Sequence, residues 1–387
     1  MLDPSAPPAG SPTGAAVRYA EMVRMDRRRL GSIAAHVASG GGAGALVATA
    51  ELATGDTIEI RPAKSRADAE TLARIPAYVF ASQVPESAFG AKLAQRLDAL
   101  GPEPYAGGKL GHVLAAFDGA QGVSQVLSLP WSMLGPGGAP VPINCISAVG
   151  TLPEYRRRGL LRKMMTRTFA ESRARGECVA ALWASMAAIY QRYGFAETTR
   201  QRCYTVDSVD VQFVDGDTGS CSVARCSSMA EALPRMEAVY TEYASQRQCC
   251  LSWAARRELW RRRSGGAAGG EDEDNERGPP VGHGFGPAGA APKFVALATD
   301  PSTGACTGYV TYVTNWNHDE SVTAHPTRSQ ALTVGELVFT DTNAYRSLWS
   351  FLGRHDLVGE IVWHSAAPDD PAAELFQVRL IVSSLPL

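Results

Sequence analysis

The sequence predicts an α/β (α+β) protein built as two units, and three observations carry that prediction. At 387 residues, 45 % of them hydrophobic, the chain is too long for one typical domain and apolar enough for more than one core. Short apolar runs with strand character alternate with stripes at helical spacing. From about residue 222 the succession of helix, strand pair, strand and helix found in the first half recurs in outline.

Residues 1–55 are rich in Ala, Gly and Pro, include GGGAG at 40–44, and read as a disordered, flexible N-terminal extension. Order is expected from IEIRPAK, where Ile58 and Ile60 alternate with polar neighbours. Ser65 with Asp68 three residues on is a helix-start signature ahead of Ala69, Leu72, Ala73 and Val79. A second helix is expected from Pro85 to Leu97, with Phe89, Leu93 and Leu97 on one face. HVLAAFDG and QGVSQVLSL read as a hairpin, and INCISAVGTL (143–152) as a further strand. Leu160, Leu161, Met164, Met165 and Phe169 then recur at helical spacing until Gly176 closes the segment. CVAALWAS (178–185) is a continuous apolar run and so a buried strand. A short helix with Ala187, Ile189 and Tyr190 ends at Gly194, and RQRCYTVD opens a last strand, completing a first unit over 56–207.

The second unit, 208–387, begins with a helix in SSMAEALPRMEAVYTEYASQ. FVALATD, GYVTYVTNW, LTVGELVFT, AYRSLWSFLGRH and EIVWHS follow as strands and one helix. Within it, residues 264–292 hold EDEDNE in a Gly/Ala/Pro-rich setting and read as a disordered insert.

Bulk properties exclude several function classes. A net charge of -2 gives no global reason to bind nucleic acid or an anionic membrane. The eight cysteines form no C-x-x-C pair and no zinc spacing with histidine, so no metal site is expected. No stretch approaches 18 apolar residues and no leader is recognisable, which reads as a soluble cytoplasmic protein.

One stretch resists a bland reading. In PEYRRRGLLRKMM (153–165), three arginines and a glycine precede an apolar stripe, and eight basic residues with a single acid, Glu171, lie between 156 and 175. Positive charge at the positive end of a helix dipole is unfavourable. A solvated helix face is one explanation. A nucleic-acid stripe is another, weakened by the absence of interleaved aromatics. An anion docked at the helix start is the third, and it alone turns the repulsion into attraction, through first-turn N–H groups, a close-approach glycine and the arginines.

Strand, R-x-x-G and amphipathic helix, with Arg156, Arg157, Arg158 and Gly159, resemble the acetyl-CoA pyrophosphate loop of the GCN5-related N-acetyltransferases (GNAT). ALWASMAAIYQRYGF, with a tyrosine four residues before Gly194-Phe195, resembles a second hallmark of that superfamily. Together, VGTLPEYRRRGLLRKMM and VAALWASMAAIYQRYGF are similar to the enhanced intracellular survival (Eis) branch, amine acetyltransferases with two GNAT units and a sterol-carrier-like third domain. The resemblance runs from about 58 to 375 and is strongest over 147–195.

It implies tandem GNAT-like mixed sheets flanked by helices, with acetyl-CoA as cosubstrate wedged between splayed strands ISAVGTL and VAALWAS. Backbone groups of Val149, Gly150 and Thr151 would align the pantetheine and face the oxyanion. Arg156, Arg157, Arg158, Gly159, Leu160, Leu161 and Arg162 would hold the pyrophosphate, and Ser185 and Met186 would line the coenzyme. Tyr190 would act as general acid, since a phenol is protonated at neutral pH. In VFASQVPESAF, Glu86 is a candidate partner for a cationic amine, or an ordinary first-turn acid.

The family's general base, a terminal carboxylate on the third domain, has no counterpart before Leu387, so the base stays unassigned. The second unit lacks R-x-x-G and is not expected to bind acetyl-CoA. The implied function is acetylation of an amine, whether aminoglycoside, polyamine or lysine-like, with homo-oligomerisation left open. The alternative is a non-catalytic acyl-CoA-binding or regulatory module.

Overall fold

A computed structural model describes residues 48–51, 57–80, 94, 97–98, 101, 105, 111–263, 294–316, 328, 330–377 and 381–386. Glu86, most of the 1–55 extension, most of the expected 85–97 helix and the 264–292 insert lie outside the described residues.

The first sheet comprises β1 (Ala48–Glu51), β2 (Thr57–Pro62), β3 (His112–Asp118), β4 (Gln121–Leu134), β5 (Pro140–Thr151) and β6 (Val179–Leu182), in that spatial order. β1 falls inside the stretch read as a flexible extension. It is short and follows the glycine run, so the composition of the whole segment conceals it. All neighbouring pairs are antiparallel except β5 with β6.

Two short helices, α1 (Arg66–Leu72) and α2 (Arg74–Val79), cover one face, and α3 (Leu160–Ala174) covers the other. The sequence suggests one helix from 66 to 79. It breaks at Ala73 because Pro76 has no N–H to give the Leu72 carbonyl. The expected capping box forms: Ser65 accepts from the Asp68 N–H at 3.1 Å, and Asp68 accepts from the Ser65 N–H at 3.1 Å. β3 is buried on both faces, with Leu114 and Ala116 under α3 and Ala115 and Phe117 under α1 and α2, which is why it reads as a continuous apolar run.

Beyond β6 the chain makes two tight 3-10 turns, Ala187–Ile189 and Gln191–Tyr193, and then enters β7 (Arg200–Asp207). This strand does not close the first sheet. It pairs with two strands of the second sheet, more than 150 residues away in sequence.

The second sheet adds β8 (Ser222–Arg225), β9 (Phe294–Thr299), β10 (Cys306–Trp316), β11 (Gln330–Phe339), β12 (Val358–Ala366) and β13 (Ile381–Pro386), in the order β13-β7-β12-β11-β10-β9-β8. Only β11 and β12 run parallel. Helices α4 (Met229–Ser245) and α5 (Trp253–Arg263) pack on one face around Met236, Tyr240, Trp260 and Tyr309. Helix α6 (Thr342–Gly353) packs on the other around Tyr345, Trp349 and Trp363. A one-turn helix, α7 (Ala372–Leu375), follows β12. The units join where the end of β4 meets the α4–α5 connection: the Leu134 N–H donates to Cys250 O at 2.7 Å, and the Cys249 N–H donates to Leu134 O at 2.8 Å.

Candidate active site

Strands β5 and β6 are paired from Ile143/Val179 to Ile146/Leu182, and there the pairing ends. β5 runs on to Thr151 while the other chain turns away through Trp183–Met186, opening a wedge between parallel strands. At its apex β5 carries a bulge. Gln125 pairs with Gly150 and Leu127 with Ser147, so Ala148 and Val149 together oppose Val126. Ala148 has φ +47°, a left-handed conformation that costs a residue with a Cβ about 1 kcal/mol.

Two polar side chains of β4 hold this shape. Gln125 Nε2 donates to Ala148 O at 3.2 Å, and the Ser124 hydroxyl donates to Gly150 O at 2.9 Å. The Ser124 proton being used there, Thr151 Oγ1, 2.6 Å away, donates to Ser124 Oγ. Ser124 is fully buried. Gly150 lies under α2, and a Cβ there would stand 2.7 Å from Ile75 Cγ2. The bulge is thus fixed from both sides. Sequence reasoning missed Ser124 and Gln125, although two polar residues inside the apolar run VSQVLSL were the available signal.

Downstream, Pro153–Tyr155 forms one 3-10 turn, anchored by the Tyr155 hydroxyl donating to Asp118 Oδ2 at 2.7 Å. The arginine loop follows. Arg157 has φ +62° and Gly159 φ +77°, so the backbone doubles back twice before α3. Gly159 is the N-cap and offers no side chain to the first-turn N–H groups, and the first turn has no acid. Arg156 Nε donates back to Thr151 O at 3.1 Å, tying the loop to the bulge. Arg157, Arg158 and Arg162 are exposed, and none has an ion pair among the described residues. Leu160 is buried and Leu161 packs at the core edge, so their side chains are taken up by the core, while first-turn N–H groups point along the helix axis toward its start.

The far wall is the segment after β6. Ser185 and Met186 are exposed, Met186 by 64 %. Tyr193 and Phe195 pack on Phe169 of α3, with ring centroids 6.4 and 6.1 Å away. Tyr190 sits edge-on to Phe195 at 5.9 Å. Burial, and then Tyr193, raise the Tyr190 phenol above its ordinary value. Its hydroxyl has no hydrogen-bond partner among the described residues. The structure places Val149, Gly150 and Thr151 on the free end of β5, the 156–162 loop at the start of α3, and Ser185, Met186 and Tyr190 on the segment that leaves β6. Glu86 lies outside the described residues.

The second unit repeats the parallel pair but not its chemistry. β11 and β12 separate after Val334/Trp363, yet Tyr204, Tyr345, Trp349 and Phe376 pack beside the opening. The helix that follows β11 is capped by Asp341, whose Oδ1 accepts from the Ala344 N–H at 2.7 Å. An acid caps this helix, where the corresponding helix of the first unit starts at a glycine preceded by three arginines.

Comparisons with known proteins agree with this architecture. Residues 59–198 match an acetyltransferase (GNAT) domain family, and residues 253–379 match a second family described in the same words. An uncharacterized N-acetyltransferase of Streptomyces avermitilis is 42 % identical over 94 residues, 24 % of this chain and 22 % of that protein. N-acetyltransferase Eis of Mycobacterium tuberculosis is 33 % identical over 132 residues, 33 % of each chain. The matched segments thus span about a fifth to a third of these curated relatives. Among solved structures, Eis1 of Mycobacterium abscessus superposes with TM-score 0.59 at 24 % identity, covering 84 % of this chain and 72 % of that one. A probable N-acyltransferase of Enterococcus faecalis gives 0.61 at 18 %, covering 85 % and 71 %. Two GNAT matches that together cover more than half of the chain, laid on two mixed sheets flanked by helices, show that this protein belongs to the GNAT acetyltransferases, with similarity to Eis over a third of its length.

Proposed function

We propose that the first unit binds acetyl-CoA and transfers its acetyl group to an amine by direct attack, acting in the cytoplasm. The observation that carries this is a helix start with no side-chain cap and no acid in its first turn, ringed by arginines that lack carboxylate partners among the described residues. The coenzyme's diphosphate fits such a site, because the open N–H groups and the helix dipole supply complementary charge. Arg157, Arg158 and Arg162 would bind the diphosphate together with the N–H groups at Gly159, Leu160 and Leu161. Arg156, already donating to Thr151 O, would brace the loop.

Bound coenzyme would supply a thioester. The bulge leaves Ala148 and Val149 without ladder partners, and beyond Ile146 the edge of β5 turned away from β4 is unpaired, so backbone there would orient the thioester carbonyl and stabilise negative charge on its oxygen. Ser185 and Met186 would bound the pantetheine on the opposite wall. Tyr190, kept protonated by burial, would give its proton to the departing sulfur. The second unit, with its helix start closed by Asp341, would shape the amine side and leave the coenzyme to the first.

Thiol release from acetyl-CoA over a panel of aminoglycosides, polyamines and lysine peptides tests the reading. Turnover with at least one amine is expected, lost on Tyr190→Phe while coenzyme affinity stays. Tight acetyl-CoA binding without turnover on any amine would instead support a binding or regulatory module.

A further inference from the structure

Outside the wedge, the second sheet brings a thiol and an imidazole together. On β7 and β12, Tyr204 pairs with Trp363 and both rings enter the aromatic core. Side chains alternate along a strand, so Cys203 and His364 turn to the opposite face. The ladder shifts between Trp363 and Ala366, leaving His364 and Ser365 to oppose Cys203 alone. Such a bulge re-aims a side chain, and here it brings His364 Nδ1 to 3.3 Å from Cys203 Sγ. Both residues are half-buried and thus open to small molecules.

We propose that Cys203 and His364 form a nucleophile–base pair and that their sheet face is a modification site for small disulfides. A thiol becomes a competent nucleophile when an adjacent base takes its proton as the sulfur attacks. Here His364 Nδ1 takes the Cys203 proton and Cys203 Sγ forms a bond to one sulfur of the incoming disulfide. The original S–S bond breaks, and the displaced thiolate receives the proton from the imidazolium. Partial burial restricts the partner to a small molecule. The exposed thiols Cys178 and Cys249 make no hydrogen bond to a histidine among the described residues and serve as internal references.

The test treats the full chain at pH 7 with limiting 4,4′-dithiodipyridine and follows each cysteine by peptide mass mapping. Cys203 is expected to react at least ~5-fold faster than Cys178 and Cys249 despite its lower exposure. His364→Asn keeps a hydrogen-bond acceptor but no base, and should slow Cys203 below both references. Buried Cys145 should stay slow in that variant, reporting an intact fold. Cys203→Ser should remove the fast equivalent. The proposal is overturned if Cys203 reacts no faster than the references, if His364→Asn leaves its rate unchanged with Cys145 still protected, or if the fast equivalent survives Cys203→Ser.

Discussion

Replacing Arg157 with glycine should move stability and coenzyme affinity in opposite directions. Arg157 holds φ +62°, a conformation that favours glycine by about 1 kcal/mol. Its guanidinium also stands beside a helix start whose dipole is positive and whose first turn carries no acid, an unfavourable placement of about 0.3–1 kcal/mol. Arg157→Gly should therefore stabilise the ligand-free protein by about 1–2 kcal/mol, roughly 2–8 °C in melting temperature for a unit of this size. The same change removes a charge-assisted bond to the diphosphate worth about 1.5–3 kcal/mol, so CoA affinity should fall about 10- to 100-fold. Differential scanning calorimetry and isothermal titration on the same preparation measure both. A variant that loses stability while keeping its affinity would refute the reasoning, because the loop's strain and charge would then serve the fold alone.

Three further outcomes are expected. Tyr190→Phe should lower kcat by about 100-fold or more while changing CoA affinity less than about twofold, since only proton donation is removed; steady-state kinetics with titration calorimetry measures both. Gly150→Ala should destabilise by about 1–3 kcal/mol, because the new Cβ meets Ile75 Cγ2 at 2.7 Å, and combining it with Ile75→Val should recover part of the loss in urea unfolding. Burial raises Asp370 to about 6 in the fold, against about 3.9 unfolded, so the native state favours the protonated form and loses stability as pH rises from about 4 through 6. Asp370→Asn retains an acceptor for the Tyr345 hydroxyl and the Ala372 N–H, and should therefore raise the melting temperature at pH 8, by about half as much at pH 5, and have little effect below about pH 4.

Local pattern made much of this fold legible. The Ser65 capping box, the 112–134 hairpin and the α3 stripe from Leu160 to Phe169 each lie within a few residues of one another, where spacing reports geometry directly. Non-local pairing did not show. Nothing in RQRCYTVD discloses that it inserts between β12 and β13, because that register is set by partners about 160 and 180 residues away. Helix α5 was missed because a segment with so many arginines presents little apolar stripe. The arginine loop stood out as an electrostatic contradiction. The bulge did not, since Ala148 is an unremarkable residue whose left-handed backbone is imposed by Gln125 and Ser124 on the neighbouring strand.

The central claim is that this helix start grips a diphosphate. Titration calorimetry of the wild-type chain with CoA, set beside pantetheine, which lacks the diphosphate, tests it most directly. The account predicts saturable CoA binding that weakens with added salt, and pantetheine weaker by at least about 100-fold. Equal affinity for the two, or no binding of CoA by folded protein, would contradict it.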